Sequence, residues 1–150
     1  MKKVLRLFTL GFLLLLSGLN SLEAQCIFNN VLYPQTPFTP TSATFTAAAA
    51  NIYGGEYSIY NVIQGNTYEW SLCAADGGLA GYDSQLSLFD PANTSLAIAY
   101  GDDDCGDDAK IIWVATYTGQ VYVQVNQYNC TTNATNTTLV YRLAAVAQVG

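Results

Sequence analysis

The sequence predicts an all-β protein, a two-sheet antiparallel β-sandwich of about seven strands, with a barrel as the alternative closure. Two observations predict it. From Gly54-Gly55 onward, short runs of period-two hydrophobicity recur at roughly 8–12-residue spacing with turn signals between them. No segment carries the 3.6-residue period of an amphipathic helix, which excludes a parallel α/β sheet.

The chain has 150 residues, long enough for one domain and short for two. Lys2, Lys3 and Arg6 form a basic start, Leu7 to Leu16 is almost wholly apolar, and Leu22-Glu23-Ala24 supplies a small residue for cleavage. Residues 1–24 are therefore expected to be a signal peptide. The apolar run is shorter than the ~20 residues of a bilayer span, so a retained anchor is the weaker reading. A secreted or cell-surface location follows.

Removal of that segment takes three of the five basic residues. Lys110 and Arg142 then face ten carboxylates, a net charge of −8. Such a surface repels phosphate backbones and anionic lipid, so neither nucleic acid nor membrane is an expected partner. The chain has no histidine, so neither a Ser-His-Asp nor a Cys-His hydrolase can be assembled from it. Paired carboxylates of the glycosidase kind are conceivable, but no acid is marked as set apart in an apolar pocket. No catalytic residue is nominated, and an enzyme is not expected.

In chain order, Gln25 to Pro40, with Pro34, Pro37 and Pro40, reads as an extended lead-in lying over the domain. The lead-in is taken to run over residues 25–53 and the sandwich over 54–150. Thr41 to Asn51 is assigned as strand into turn. Glu56 to Ile63 and Thr67 to Cys73 are strands rich in aromatic and β-branched residues, read as a hairpin about Gly65-Asn66. In the second, Tyr68, Trp70 and Leu72 share the core face and Glu69 and Ser71 the other. Ala74 to Gly81 is a Gly-rich loop without the Lys-Ser/Thr ending of a phosphate cradle. Gln85 to Phe89 is a strand, Asp90-Pro91-Ala92-Asn93 turns the chain, and Leu96 to Tyr100 returns. An acidic loop follows, then Ile111 to Ala115 with Trp113 inside. Gln120 to Asn126 alternates cleanly, Val121, Val123 and Val125 facing in and Gln120, Tyr122 and Gln124 facing out. Leu139 to Val146 closes the domain.

Four cysteines in an exported chain indicate two disulfides; no CxxC spacing supports zinc. If consecutive strands run antiparallel, Cys73, Cys105 and Cys130 fall at one end of the sandwich. The preferred pairs are Cys73–Cys105 and Cys26–Cys130, with Cys105–Cys130 as the alternative.

The order of motifs, a strand ending near a cysteine, then YDSQLSLFD, AYGDDDCGDDAKIIW and TGQVYVQV, resembles the bacterial pre-peptidase C-terminal domain in its cysteine-containing form. The resemblance covers about Gly54 to Ala145. It implies a jelly-roll-like sandwich of seven to nine strands, serving as a non-catalytic accessory module of secreted peptidases and adhesins. Some members of that family bind calcium through an acidic loop, and collagen-binding members use surface aromatics. The implied partner is an extracellular polymer, protein or polysaccharide, or a neighbouring domain of a longer chain.

Half of the ten carboxylates lie between Gly101 and Asp108. A hard cation takes ~6–8 oxygens, and a loop of carboxylates and carbonyls with Gly101 and Gly106 for tight turns can supply them. The candidate calcium ligands are Asp83, Asp102, Asp103, Asp104 and Asp107, with Asp76 as a sixth. The DxDxDG spacing of an EF-hand is absent, and a solvated turn whose carboxylates cap backbone amides is the competing reading. Eleven tyrosines and two tryptophans offer a second possibility, an adhesive or carbohydrate-binding platform drawn from Tyr57, Tyr60, Tyr100, Tyr122 and Tyr128.

Overall fold

The computed structural model describes residues 25–148, apart from the side chains of residues 49 and 50; the expected signal peptide, residues 1–24, lies outside the described residues. The described chain is a β-sandwich of nine strands: β1 (Val31–Leu32), β2 (Thr46–Ile52), β3 (Glu56–Val62), β4 (Thr67–Ser71), β5 (Ser84–Phe89), β6 (Ala99–Gly101), β7 (Lys110–Val114), β8 (Gly119–Gln127) and β9 (Thr137–Ala145). Three-residue 3-10 turns lie at Ala74–Asp76 and Tyr128–Cys130.

One sheet has the order β2-β9-β4-β7, the other β1-β3-β8-β5-β6. From β2 onward the chain changes sheet at every connection except the β5–β6 hairpin, which is the double Greek-key course of a jelly roll. β1 is added to the edge of the second sheet, parallel to β3.

The expected hairpin of Glu56 to Ile63 with Thr67 to Cys73 does not form. β3 pairs with β8, whereas β4 pairs with β7 and β9 in the opposite sheet. Each strand has one apolar face, Tyr60 and Val62 on β3 and Tyr68 and Trp70 on β4, and all four residues are buried. Facing each other across the core buries both rows at once; side by side, each would still need a cover. Period two identifies a strand's core face but not which sheet carries it.

The sandwich also begins earlier than Gly54. β2 pairs with β9, and its Ala48 and Ile52 enter the core. The lead-in is itself part of the packing. Gln124 and Asn126, on the outward face of β8, are 0% and 1% exposed because residues 27–30 roof that face. Gln124 Nε2 donates to the Ile27 carbonyl at 3.0 Å, and Asn30 Nδ2 donates to the Val125 carbonyl at 2.9 Å. Phe28 sits on the same roof, with ring centroids 4.8 Å from Tyr57, 5.5 Å from Tyr122 and 5.2 Å from Phe89. The outer face of this sheet therefore holds a small second core.

Cys26 pairs with Cys130 and Cys73 with Cys105, Cα atoms 5.3 and 5.9 Å apart, the pairs preferred from the strand directions. Cys26–Cys130 spans 104 residues and ties the lead-in down, a constraint worth about 4–5 kcal/mol in the chain-entropy picture. Trp113 is half-buried against the core rather than enclosed, because β7 is an edge strand.

Candidate metal centre

The acidic end is built where β5 begins and β6 ends. Leu86 and Gly101 are register partners, so Asp83, just before β5, meets Asp102 and Asp103, just after β6. The approach is close: a Cβ on Gly101 would stand 2.2 Å from the Lys110 carbonyl oxygen, so no larger residue fits without moving backbone. Asp103 itself has φ +39°, a left-handed conformation that Asp tolerates better than most residues.

Asp83, Asp102 and Asp103 each bring one carboxylate oxygen within 4.8 Å of the others. Asp102 Oδ2 accepts from Gln85 Nε2 and from the Tyr100 hydroxyl, each at 3.0 Å. Gln85 is anchored in turn, its Oε1 accepting from the Cys130 amide at 3.0 Å. The other oxygens are left over: Asp83 Oδ1 and Asp102 Oδ1 are buried, with no hydrogen-bond partner among the described residues. Burial raises the Asp83 pKa above its usual range, and the charges of Asp103, Asp102 and Asp107 push it further. Asp108 is also raised, by burial first and Asp107 second. These are crowded carboxylates without a counter-charge among the described residues.

The remaining candidates go elsewhere. Asp107 is exposed at the rim; its carbonyl accepts the Ser84 amide at 2.8 Å, and its charge acts on Asp83. Asp104 turns away and accepts the Lys110 amide at 2.9 Å through Oδ2, capping the start of β7 as a turn carboxylate does. Asp76 does not belong to the cluster. It lies on the outer side of the β2-β9-β4-β7 sheet, where Oδ2 accepts from Ser71 Oγ at 2.7 Å and pairs with Lys110 Nζ at 2.8 Å. Lys110 reaches Asp76 because its side chain leaves β7 on that sheet's outer face, beside Glu69.

Glu69 is what the strand pattern misses. Placed outward by period two, it is nonetheless 2% exposed, paired with Lys110 and Arg142 beneath Phe45. The Phe45 ring lies 4.4 Å from the Arg142 guanidinium carbon and 5.8 Å from Lys110 Nζ. A signal was available: the chain beyond residue 24 has two cations only, both on strands.

The tyrosine platform does not assemble. Tyr60 is fully buried, Tyr57 and Tyr122 lie against Phe28, Tyr100 joins the Asp102 network, and Tyr128 alone of the five is exposed.

Three carboxylates with two buried unpaired oxygens, supported by Gln85 and Tyr100, match the donor chemistry of a hard divalent cation. Among the described residues no helix is long and apolar enough to cross a membrane.

Among solved structures, the chain is similar to the pre-peptidase C-terminal domain of a collagenase from Bacillus anthracis, at 19% identity and a TM-score of 0.47, covering 76% of this chain and 100% of that one. It is also similar to PliG of Aeromonas hydrophila, a periplasmic lysozyme inhibitor of g-type lysozyme, at 14% identity and a TM-score of 0.51, covering 76% and 98%. At that identity, the likeness to PliG shows the sandwich fold alone. No curated protein matches the chain. Residues 47–148 match the family described as Domain of unknown function (DUF8695), from β2 through β9, and the chain belongs to that family.

Proposed function

We propose that this is an exported, non-catalytic β-sandwich accessory module of the pre-peptidase C-terminal type, whose acidic end takes up one calcium ion through Asp83, Asp102 and Asp103. The observation that carries the reading is that Asp83 Oδ1 and Asp102 Oδ1 are buried without a hydrogen-bond partner among the described residues, on two of the three carboxylates that converge within 4.8 Å. A buried carboxylate without a partner costs stability, and a divalent cation removes that cost while supplying the missing charge. Water and nearby carbonyls would complete the ~6–8 oxygens such an ion takes.

Export is supported by the two disulfides, which persist in oxidising compartments. The net charge of −8 carried by residues 25–150 favours a neutral or basic partner, an extracellular polymer or a neighbouring domain, over nucleic acid or anionic lipid. Adhesion through a tyrosine platform has less support, since Phe28 covers Tyr57 and Tyr122.

The test is the thermal midpoint of the oxidised domain in calcium and in chelator. An ion that binds only the folded state adds about 2.7 kcal/mol at a hundredfold excess over its Kd. The expected result is a rise of several degrees that Asp102→Asn abolishes. No shift across millimolar calcium would make the end a solvated acidic turn.

A further inference from the structure

At the end of the sandwich opposite the acidic cluster, a groove of about 500 Å³ opens between the lead-in, the β3–β4 connection and the β7–β8 turn. Its volume is that of a small-molecule site. In a chain this acidic its lining is unusual: every lining residue is uncharged. Val62 and Leu143 line it with apolar surface, Ile63 stands exposed beside them, and Asn61, Asn66 and Gln120 with the threonines supply amide and hydroxyl groups.

One lining group is both buried and incompletely paired. Tyr68 is 2% exposed. Its hydroxyl oxygen accepts the Ile63 amide at 2.8 Å and Asn66 Nδ2 at 3.4 Å. The Asn66 amide cannot be turned to offer its oxygen instead, because Oδ1 already accepts the Ala147 amide at 2.9 Å. The Tyr68 proton therefore has no acceptor among the described residues. A hydroxyl carries one donor as well as its acceptor lone pairs, and a buried donor without an acceptor is costly.

The rim supplies further groups. Gln120 Nε2 donates to Asn61 Oδ1 at 3.1 Å, and Asn61 Nδ2 donates to Thr39 Oγ1 at 2.9 Å. This relay fixes the amides and leaves Gln120 Oε1 as an acceptor and the Thr39 hydroxyl proton as a donor at its two ends. Thr118 Oγ1 likewise accepts the Gln64 amide at 2.9 Å and keeps its proton.

We propose that this groove binds a neutral oligosaccharide, with a sugar oxygen accepting from the Tyr68 hydroxyl. Fixed donors and an acceptor beside apolar surface match a pyranose, which has hydroxyls at its edge and a C–H face. Anionic ligands meet no cation in the groove and a net charge of −8 around it; cationic ligands have the acidic end as a stronger site. The inference takes up the accessory-module reading by naming a ligand class, and it is independent of the metal.

The experiment is a backbone amide NMR titration of the oxidised domain with maltotriose, cellotriose, laminaritriose and mannotriose at millimolar concentration, and with an uncharged Ser/Thr/Pro tripeptide. At least one trisaccharide should shift the amides of Ile63, Asn66, Thr118 and Gln120, and chelator or Asp102→Asn should leave those shifts unchanged. Tyr68→Phe should weaken binding about tenfold, the loss expected for one buried hydrogen bond. Because that change also removes the acceptor for the Ile63 amide, Gln120→Leu on the exposed rim is the second variant, weakening binding severalfold with the thermal midpoint unchanged. The proposal is overturned if no trisaccharide shifts these amides, if the shifts fall on Phe28, Tyr57 and Tyr122 instead, if only the tripeptide binds, or if both variants bind as the parent does. Loss of the calcium response with sugar binding intact would remove the metal reading alone.

Discussion

Glu69 and Arg142 are register partners across β4 and β9, and Arg142 Nε donates to Glu69 Oε2 at 2.6 Å on a face that pleating alone would leave to solvent. Lys110 closes on the other carboxylate oxygen from β7, at 2.5 Å from Oε1. One buried acid thus ties three adjacent strands together from outside the core.

Glu69→Gln removes the one buried charge that both cations answer. Breaking a buried pair costs about 3–5 kcal/mol. Lys110 and Arg142 keep partial access to water, side chains 24% and 35% exposed, so a cost discounted to the bottom of that range or just below it is expected, about 2–3 kcal/mol in urea unfolding. Arg142→Met should cost less, since Lys110 remains for Glu69. Equal losses for the two variants would contradict the asymmetry in burial.

At the acidic end a neutralising substitution should reverse sign with calcium. The Asp83 carboxyl is raised by burial and by its acidic neighbours, so its ionised form opposes folding when no cation is present. Asp83→Asn is expected to raise the thermal midpoint in chelator and to lower it in calcium relative to the parent. A rise in both buffers would mean that Asp83 serves no ion, and a fall in both that crowding does not oppose its ionised form.

The Lys110–Asp76 pair sets a pH window. Burial opposes ionisation of Asp76, but hydrogen bonds from Lys110 and Ser71 and the charges of Lys110 and Arg142 outweigh it and hold the pKa below 3.8. A lowered acid stabilises above its unfolded pKa and loses that contribution as pH falls through the folded value. Lys110 is the converse: burial lowers it, its bonds to Asp76 and Glu69 raise it more, and its contribution is lost as pH rises through a folded pKa above 10.5. In an Asp76→Asn variant the loss of stability below about pH 4 should be shallower than in the parent, measured by denaturant midpoint against pH.

Phe28 and the Cys26–Cys130 bridge act on the same roof. Removing the bridge by Cys26→Ser with Cys130→Ser should cost about 2–5 kcal/mol. Hydrogen exchange should then quicken at Asn126 and Gln124 before it does in β4. Uniform exchange across both sheets would indicate that the lead-in and the sandwich unfold as one unit.

Gly101→Ala should destabilise the domain by more than a surface exchange does, because its Cβ would meet the Lys110 carbonyl oxygen at 2.2 Å. The same shift of backbone would spread Asp102 from Asp83, so calcium-dependent stabilisation should shrink with it. An unchanged calcium response in a folded Gly101→Ala domain would separate the two effects.

The sequence by itself determined most of the strands, the core faces of β4 and β8, the acidic loop and, through strand direction, which three cysteines share one end of the sandwich. These properties are local: Val121, Val123 and Val125 declare one face of β8 by period two alone, and Cys73, Cys105 and Cys130 fall at one end because of where strands stop, while the choice of Cys73 over Cys130 as the partner of Cys105 is made by the tertiary structure. Sheet membership needed the tertiary structure. β3 and β4 look like a hairpin until the need to cover Tyr60 and Trp70 together puts them in opposite layers. The same holds for what covers an outward face. Gln124 and Glu69 occupy polar positions in an alternating pattern, and only the return of residues 27–30 over one sheet and of Phe45 over the other buries them. Charge density marked the acidic loop as one group of carboxylates, but density carries no direction. The pairing of Leu86 with Gly101 selected Asp83, Asp102 and Asp103 from it, while Lys110, held on the far side of β7, drew Asp76 away.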